Sequence, residues 1–130
     1  MARIALVTYD PRPEPSKDAD FPVLLSALRE AGAEADGVFW DDADVDWAAY
    51  DLVVIRSTWD YSWRADEFAA WTRKVAAVTR LANPADVVGW NADKRYLGEL
   101  AAAGVADVPS QAWVRPGPLQ DELRAEGLVP

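Results

Sequence analysis

The chain has 130 residues, 51% of them apolar, which suits one domain with a sizeable core. Its 22 acidic against 13 basic residues give a net charge of −9, which repels phosphate backbones and anionic lipid, so neither nucleic acid nor a membrane surface is an expected partner. There is no Cys and no His, so disulfides, thiolate catalysis and Cys-ligated metals are excluded and the usual neutral-pH acid–base group is missing; chemistry must come from carboxylates, Lys, Arg, Tyr, hydroxyls or a bound cofactor.

In chain order, "RIALVTYD" is a short apolar run of β-formers, halted by the donor-less prolines of "PRPEP". Charge and prolines arrive too early for an export signal, and no apolar run is long enough to span a bilayer, so a cytoplasmic location is expected. "DFPVLLSALREAG" predicts a helix, with Asp20 as N-cap, Pro22 in the first turn, Phe21, Leu24, Leu25 and Leu28 on one face, and Gly32 as stop. "AEADGVFW" is a weaker strand, followed by the acidic connection "DDADVDWAAY". "DLVVIRS" is a third strand, nearly all apolar before Arg56, as in a parallel sheet covered on both faces.

"RADEFAAWTRKVAAV" predicts a second helix, with Phe68, Trp71, Val75 and Val78 on one face and Asp66 and Glu67 placed where the helix dipole favours them. "RLAN" is a short fourth strand. "NADKRYLGELAAAG" reads as a third helix with Asn91 as cap and Gly104 as stop, and "LQDELRAEG" as a further short one. This alternation predicts a three-layer α/β domain with a mainly parallel sheet.

The sequence has no Walker A motif and no G-x-G-x-x-G after the first strand. "DADVDW" imitates the start of a calcium loop, but its sixth position is Trp47 rather than Gly and its twelfth is Val53 rather than Glu, so a solvated connection is the better reading.

Ligands of open α/β sheets bind beyond the carboxyl ends of the strands. If the first and third strands end near Thr8 and Ile55, two polar clusters share one rim: Thr8, Tyr9 and Asp10, then Arg56, Ser57, Thr58, Trp59, Asp60 and Tyr61. Arg56 is suited to grip a carboxylate and Asp60 an ammonium, with Trp59 or Tyr61 as a wall. The competing reading is structural: Arg56 and Asp60 neutralise one another and Trp59 is core. Lys94 is a second anomaly, a cation in the first turn of its expected helix, where the dipole disfavours it and where exposed N–H groups bind phosphate; the competing reading, which the physics alone favours slightly, is a Lys that reaches into solvent or to Asp93. Arg95, by contrast, has Glu99 four residues on as an ordinary partner.

The strings "RSTWDY" and "LANPADVVGWNADKRYLGELAAAGV", in this order, resemble the amino-terminal part of ATP-grasp ligases, in particular actinobacterial proteins similar to the cyclo-ligase of cycloserine biosynthesis. The resemblance covers roughly Arg3 to Val114. It implies a Rossmann-like pre-ATP-grasp domain, here residues 1–110, with 111–130 a truncated linker or tail. It also implies a reaction in which ATP, with Mg2+, activates a carboxylate for attack by an amine-like nucleophile. By the same resemblance Lys94 would contact ATP phosphate, and the rim cluster would help hold a small amino acid-like substrate, which favours Arg56, Thr58, Asp60 and Tyr61; Asp10 and Ser57 join this substrate site by their place at the strand ends. No catalytic residue and no metal ligand is assigned.

The family's later Val-Lys-Pro strand, Gly-rich loop and acidic magnesium ligands have no counterpart before Pro130. The expectation is therefore the substrate-binding portion of a ligase, working with an ATP-grasp partner chain or self-associating. The alternative is a stand-alone binding module for a small ligand or a protein. A phosphoacceptor signalling domain is disfavoured, because the third strand ends in Arg56 and Ser57 rather than an acidic residue.

Overall fold

In a computed structural model of the chain, residues 1–11 and 18–105 are described; the expected helix in "LQDELRAEG" and the 110/111 boundary lie outside them. The chain forms two compact units, residues 1–92 and residues 93–130.

The first unit is an α/β layer structure. Four parallel strands, β1 (Arg3–Thr8), β2 (Glu34–Phe39), β3 (Leu52–Ser57) and β4 (Leu81–Ala82), take the order β2-β1-β3-β4. The first crossover runs outward from β1 to one side and the later strands are added on the other, so the chain reverses direction between β1 and β3. Such a reversal opens a crevice at the strands' carboxyl ends.

The two faces of the sheet are covered unequally. Ala5, Val7, Val38, Trp40, Val53 and Leu81 point to one face and close on Trp47 and on Phe68, Trp71 and Val75 of α2 (Ala65–Ala76), all buried. The rings meet edge-on: Trp40 to Phe68 at 5.3 Å and Trp47 to Trp71 at 5.4 Å between centroids, the arrangement aromatic quadrupoles prefer. The Trp71 indole N–H is buried here with no hydrogen-bond partner among the described residues. α2 stops at Ala76, so Val78, expected on its buried face, is 53% exposed. α3 (Ala85–Asn91) packs beside α2.

The opposite face carries α1 (Asp20–Glu30), none of whose residues is fully buried. It approaches β2 at Gly37, where an added Cβ would lie 2.9 Å from Phe21 Cε1; only glycine admits the helix this closely. β3 is therefore not covered completely, since Val53 is buried but Leu52 and Val54 only half so. Asp20 is the first helical residue rather than the cap, and the Asp18 carboxylate, two residues earlier, accepts the Asp20 N–H at 3.0 Å. β2 is an edge strand among the described residues. Arg29 Nε reaches back to donate to its Ala35 carbonyl at 2.8 Å.

In the second unit, the single helix expected from Asn91 to Gly104 is not found. Asn91 instead closes α3, and α4 spans Tyr96–Ala102. Asp93 makes the break: its carboxylate accepts the Arg95 backbone N–H at 3.0 Å, a local bond that competes with helix continuation. Among the described residues, no helix is long and apolar enough to cross a membrane.

Candidate functional site

The carboxyl ends of β1 and β3 meet as the sequence predicts. A register shift after Val7 pairs Thr8 with Ser57 rather than Arg56. By the alternation of β3, Ser57 faces inward, at 1% exposure, and Arg56 outward. The Thr8 and Ser57 hydroxyls lie 3.0 Å apart, Thr8 Oγ1 also donates to the Ser57 carbonyl at 3.1 Å, and the Tyr9 N–H donates to the same carbonyl at 3.2 Å. Thr58 is buried beside them, and Asp10 is half-buried beyond β1.

Arg56 does not pair with Asp60. Its Nε lies 3.3 Å from Asp18 Oδ2 and its Nη2 3.4 Å from Asp20 Oδ2, tying the end of β3 to the start of α1. A substrate carboxylate at Arg56 would have to compete with these two anions.

Asp60 is also occupied. It accepts Trp40 Nε1–H at 3.0 and 3.2 Å and Arg64 Nη1 at 3.2 Å. Arg64 serves as a hub, bonding Asp41 at 2.5 Å and Glu67 at 2.8 Å while its guanidinium lies 4.4 Å from the Trp40 ring centroid. Hydrogen bonds to Glu67 and then Asp41 push the Arg64 pKa up. This hub was missed in the sequence, although Asp60, Arg64 and Glu67 have the four- and three-residue spacing of helical ion pairs.

A short 3-10 helix, Trp59–Ser62, follows β3. Within it Tyr61 turns to the core, 5.6 Å from the Phe68 ring centroid. Trp59 is not core: it is 47% exposed, with its ring 6.0 Å from that of Tyr9 and tilted by 43°.

In the second unit, Lys94 lies in the turn before α4 rather than in a first helical turn, with Nζ 5.7 Å from the Tyr96 ring centroid. Arg95 pairs with Asp93 (Nε to Oδ2, 2.8 Å), the expected contact with Glu99 being replaced by the nearer carboxylate; this bond lowers the Asp93 pKa and raises that of Arg95. In "DADVDW", the Asp42 and Asp46 carboxylates accept the N–H groups of Asp44 and Ala48 and so cap local turns. Among the described residues, no three acidic side chains come together as a metal site.

With this geometry in place, comparison with known proteins is decisive for the family. Residues 4–83 match the family described as the N-terminal domain of D-cycloserine synthetase DcsG. The chain belongs to this family. It is 45% identical over 100 residues to the cycloserine biosynthesis protein DcsG of Streptomyces lavendulae, covering 77% of this chain and 33% of that protein. The crystal structure of D-cycloserine synthetase DcsG superposes with a TM-score of 0.78 and 38% identity, covering 97% of this chain and 43% of the solved one. The chain thus spans about a third of the curated relative. The DcsG amino-terminal family accounts for the α/β fold and its parallel sheet.

Proposed function

We propose that this chain is the amino-terminal substrate-binding domain of an ATP-grasp ligase of the carboxylate–amine type, acting on a small amino acid-like compound. The observation that carries this reading is the rim at the chain reversal, where half-buried Thr8 bonds buried Ser57 and buried Thr58 leads into the 3-10 helix, in a chain related to a cycloserine biosynthesis protein. Open α/β sheets bind ligands at such a point.

No three acidic side chains among the described residues are grouped to hold Mg2+. On this reading magnesium and the body of ATP belong to the rest of such a ligase, and no phosphoryl-transfer step is placed on this domain. Lys94 keeps the role of a single phosphate contact. On this reading Arg56 and Asp60 act on substrate indirectly, by holding the rim to α1 and to α2, the buried Ser57 and Thr58 shape the floor of the site, and half-buried Asp10 and Tyr61 would border the ligand.

A second reading, a stand-alone binding module, is favoured by one observation: every rim contact described above lies within residues 8–67 of the first unit. Backbone-amide NMR separates the two. Adding D-cycloserine is expected to shift the amides of Thr8, Tyr9, Ser57 and Thr58. For a ligase domain, ATP with Mg2+ should then shift residues around Lys94, and Lys94→Ala should abolish that response. A response to D-cycloserine alone selects the stand-alone module, and silence at the rim with both ligands present overturns both readings.

A further inference from the structure

We propose that the buried tryptophans form a conduit that carries an oxidising charge out of the core to Tyr50, where Asp36 takes up the proton that discharges it. This is a protective redox activity. It goes beyond the substrate reading and does not depend on it.

Trp40, Trp71 and Trp47 are all buried. The ring centroids of Trp40 and Trp71 lie 6.0 Å apart, those of Trp71 and Trp47 5.4 Å, and those of Trp47 and Tyr50 6.4 Å. The oxidisable rings therefore form one unbroken series. Its members differ in what they offer a departing proton. The Trp71 indole N–H is buried with no acceptor among the described residues. Tyr50 is the opposite case. Its hydroxyl donates to Asp36 Oδ2 at 3.1 Å, and the Asp36 side chain, 46% exposed, borders an open groove with Arg3 and Arg29.

An indole that loses an electron becomes a radical cation, and a cation in an apolar core is costly unless it sheds a proton. An unsatisfied buried donor also costs stability and calls for a reason. Here the reason is that Trp71 has nowhere to send its proton, so the charge stays mobile and passes on. Trp40 has Asp60 at 3.0 Å, but Arg64 already bonds that carboxylate and lies 4.4 Å from the Trp40 ring centroid. Positive charge beside it is repelled. Arg3 also lies over Tyr50, at 4.8 Å, yet it stands 3.7 Å from Asp36, beyond hydrogen-bond reach, and leaves that carboxylate free to accept. The balance is simple. A one-electron oxidant, such as a solution radical, takes an electron from an indole. Tyr50 returns one electron to the series and gives its hydroxyl proton to Asp36, leaving a neutral phenoxyl radical and a neutral carboxyl group. A hydrogen-atom donor of the ascorbate or thiol class then restores the phenol, and the carboxyl group releases its proton to water.

The test is ultraviolet photoionisation of the indoles in the whole chain, followed by transient absorption of the indole and phenoxyl radicals. In the unsubstituted chain the indole signal should decay as a phenoxyl signal grows, and the growth should slow in heavy water. Tyr50→Phe should lose most of the phenoxyl signal, whereas Tyr9→Phe, beside the exposed Trp59, should keep it. Trp47→Phe should lose it with Tyr50 intact, because the series is cut. Asp36→Asn changes a half-exposed position and should slow the transfer without altering the far-ultraviolet circular dichroism, so it decides the matter if Trp47→Phe does not fold. After illumination with ascorbate present, peptide mapping should find more oxidised Trp71 in Tyr50→Phe than in the unsubstituted chain. A phenoxyl signal that survives Tyr50→Phe, or that forms at the unsubstituted rate in Asp36→Asn, overturns the conduit.

Discussion

The two faces of the sheet are built on different terms. Against α2, the strands bury Val7, Val53, Trp40 and Leu81 with three large side chains of the helix and Trp47. Against α1, Leu6 and Ala35 are buried, yet the helix itself buries no residue fully and leaves Val23 68% exposed. The lesson is that stability and the rim's adjustable attachments are segregated. The α2 face locks the sheet, while α1 is held by a close approach at Gly37 and by the ion pairs of Arg56.

This contrast can be broken most severely at Trp71. Trp71→Ala should cost about 3–5 kcal/mol in urea unfolding, because it empties the centre of the aromatic cluster; a loss under about 1 kcal/mol would mean that the two faces do not differ in this way. Gly37→Ala should cost about 1–3 kcal/mol. Its Cβ meets Phe21 Cε1 at 2.9 Å, and the loosely held helix can give way, which would appear as faster amide exchange in α1 but not in α2.

Arg56→Ala should cost about 1–2 kcal/mol: the Asp20 partner, 83% exposed, is screened by solvent, whereas Asp18, 10% exposed, loses the cation 3.3 Å away. The loss should shrink further in high salt. The smallest effect is alkaline. Burial, then the hydrogen bond to Asp36, raise the Tyr50 pKa, because the neutral phenol donates to that carboxylate. A group whose folded pKa is raised contributes stability that is complete below its unfolded value, about 10, and fades as pH rises through the folded value. Melting temperature should therefore fall above about pH 10, with a shallower slope in Tyr50→Phe.

The sheet was legible because its strands are short apolar runs ended by Pro, Gly or a polar change, and a parallel arrangement follows from their alternation with helices. α3 was not, since "ADVVGWN" holds two β-branched residues and a Gly, all poor helix formers. A signal was present nonetheless: Asn83 at φ 64°, a turn conformation Asn tolerates, then Pro84 as cap and Asp86 in the first turn. Asn91 fits a cap by residue type alone, and only the bond from Arg95 N–H to Asp93 shows which carboxylate interrupts the helix.

At the rim, the meeting of Thr8 with Ser57 followed from strand order alone. The partners of Arg56 did not, because Asp18 and Asp20 are distant in sequence and are brought close only by the crossover through α1. Nor did the exposure of Trp59, which lies in the 3-10 helix beyond the reach of the strand's alternation.

The bond from Arg29 to the Ala35 carbonyl has a bearing on the molecule's behaviour in crowded solution. An outermost strand offers its outward-facing amides and carbonyls to any extended chain that drifts past, the first step of ribbon-like aggregation. By occupying one of those carbonyls with a charged side chain from its own helix, the protein interrupts the row at which an intruding strand would have to align.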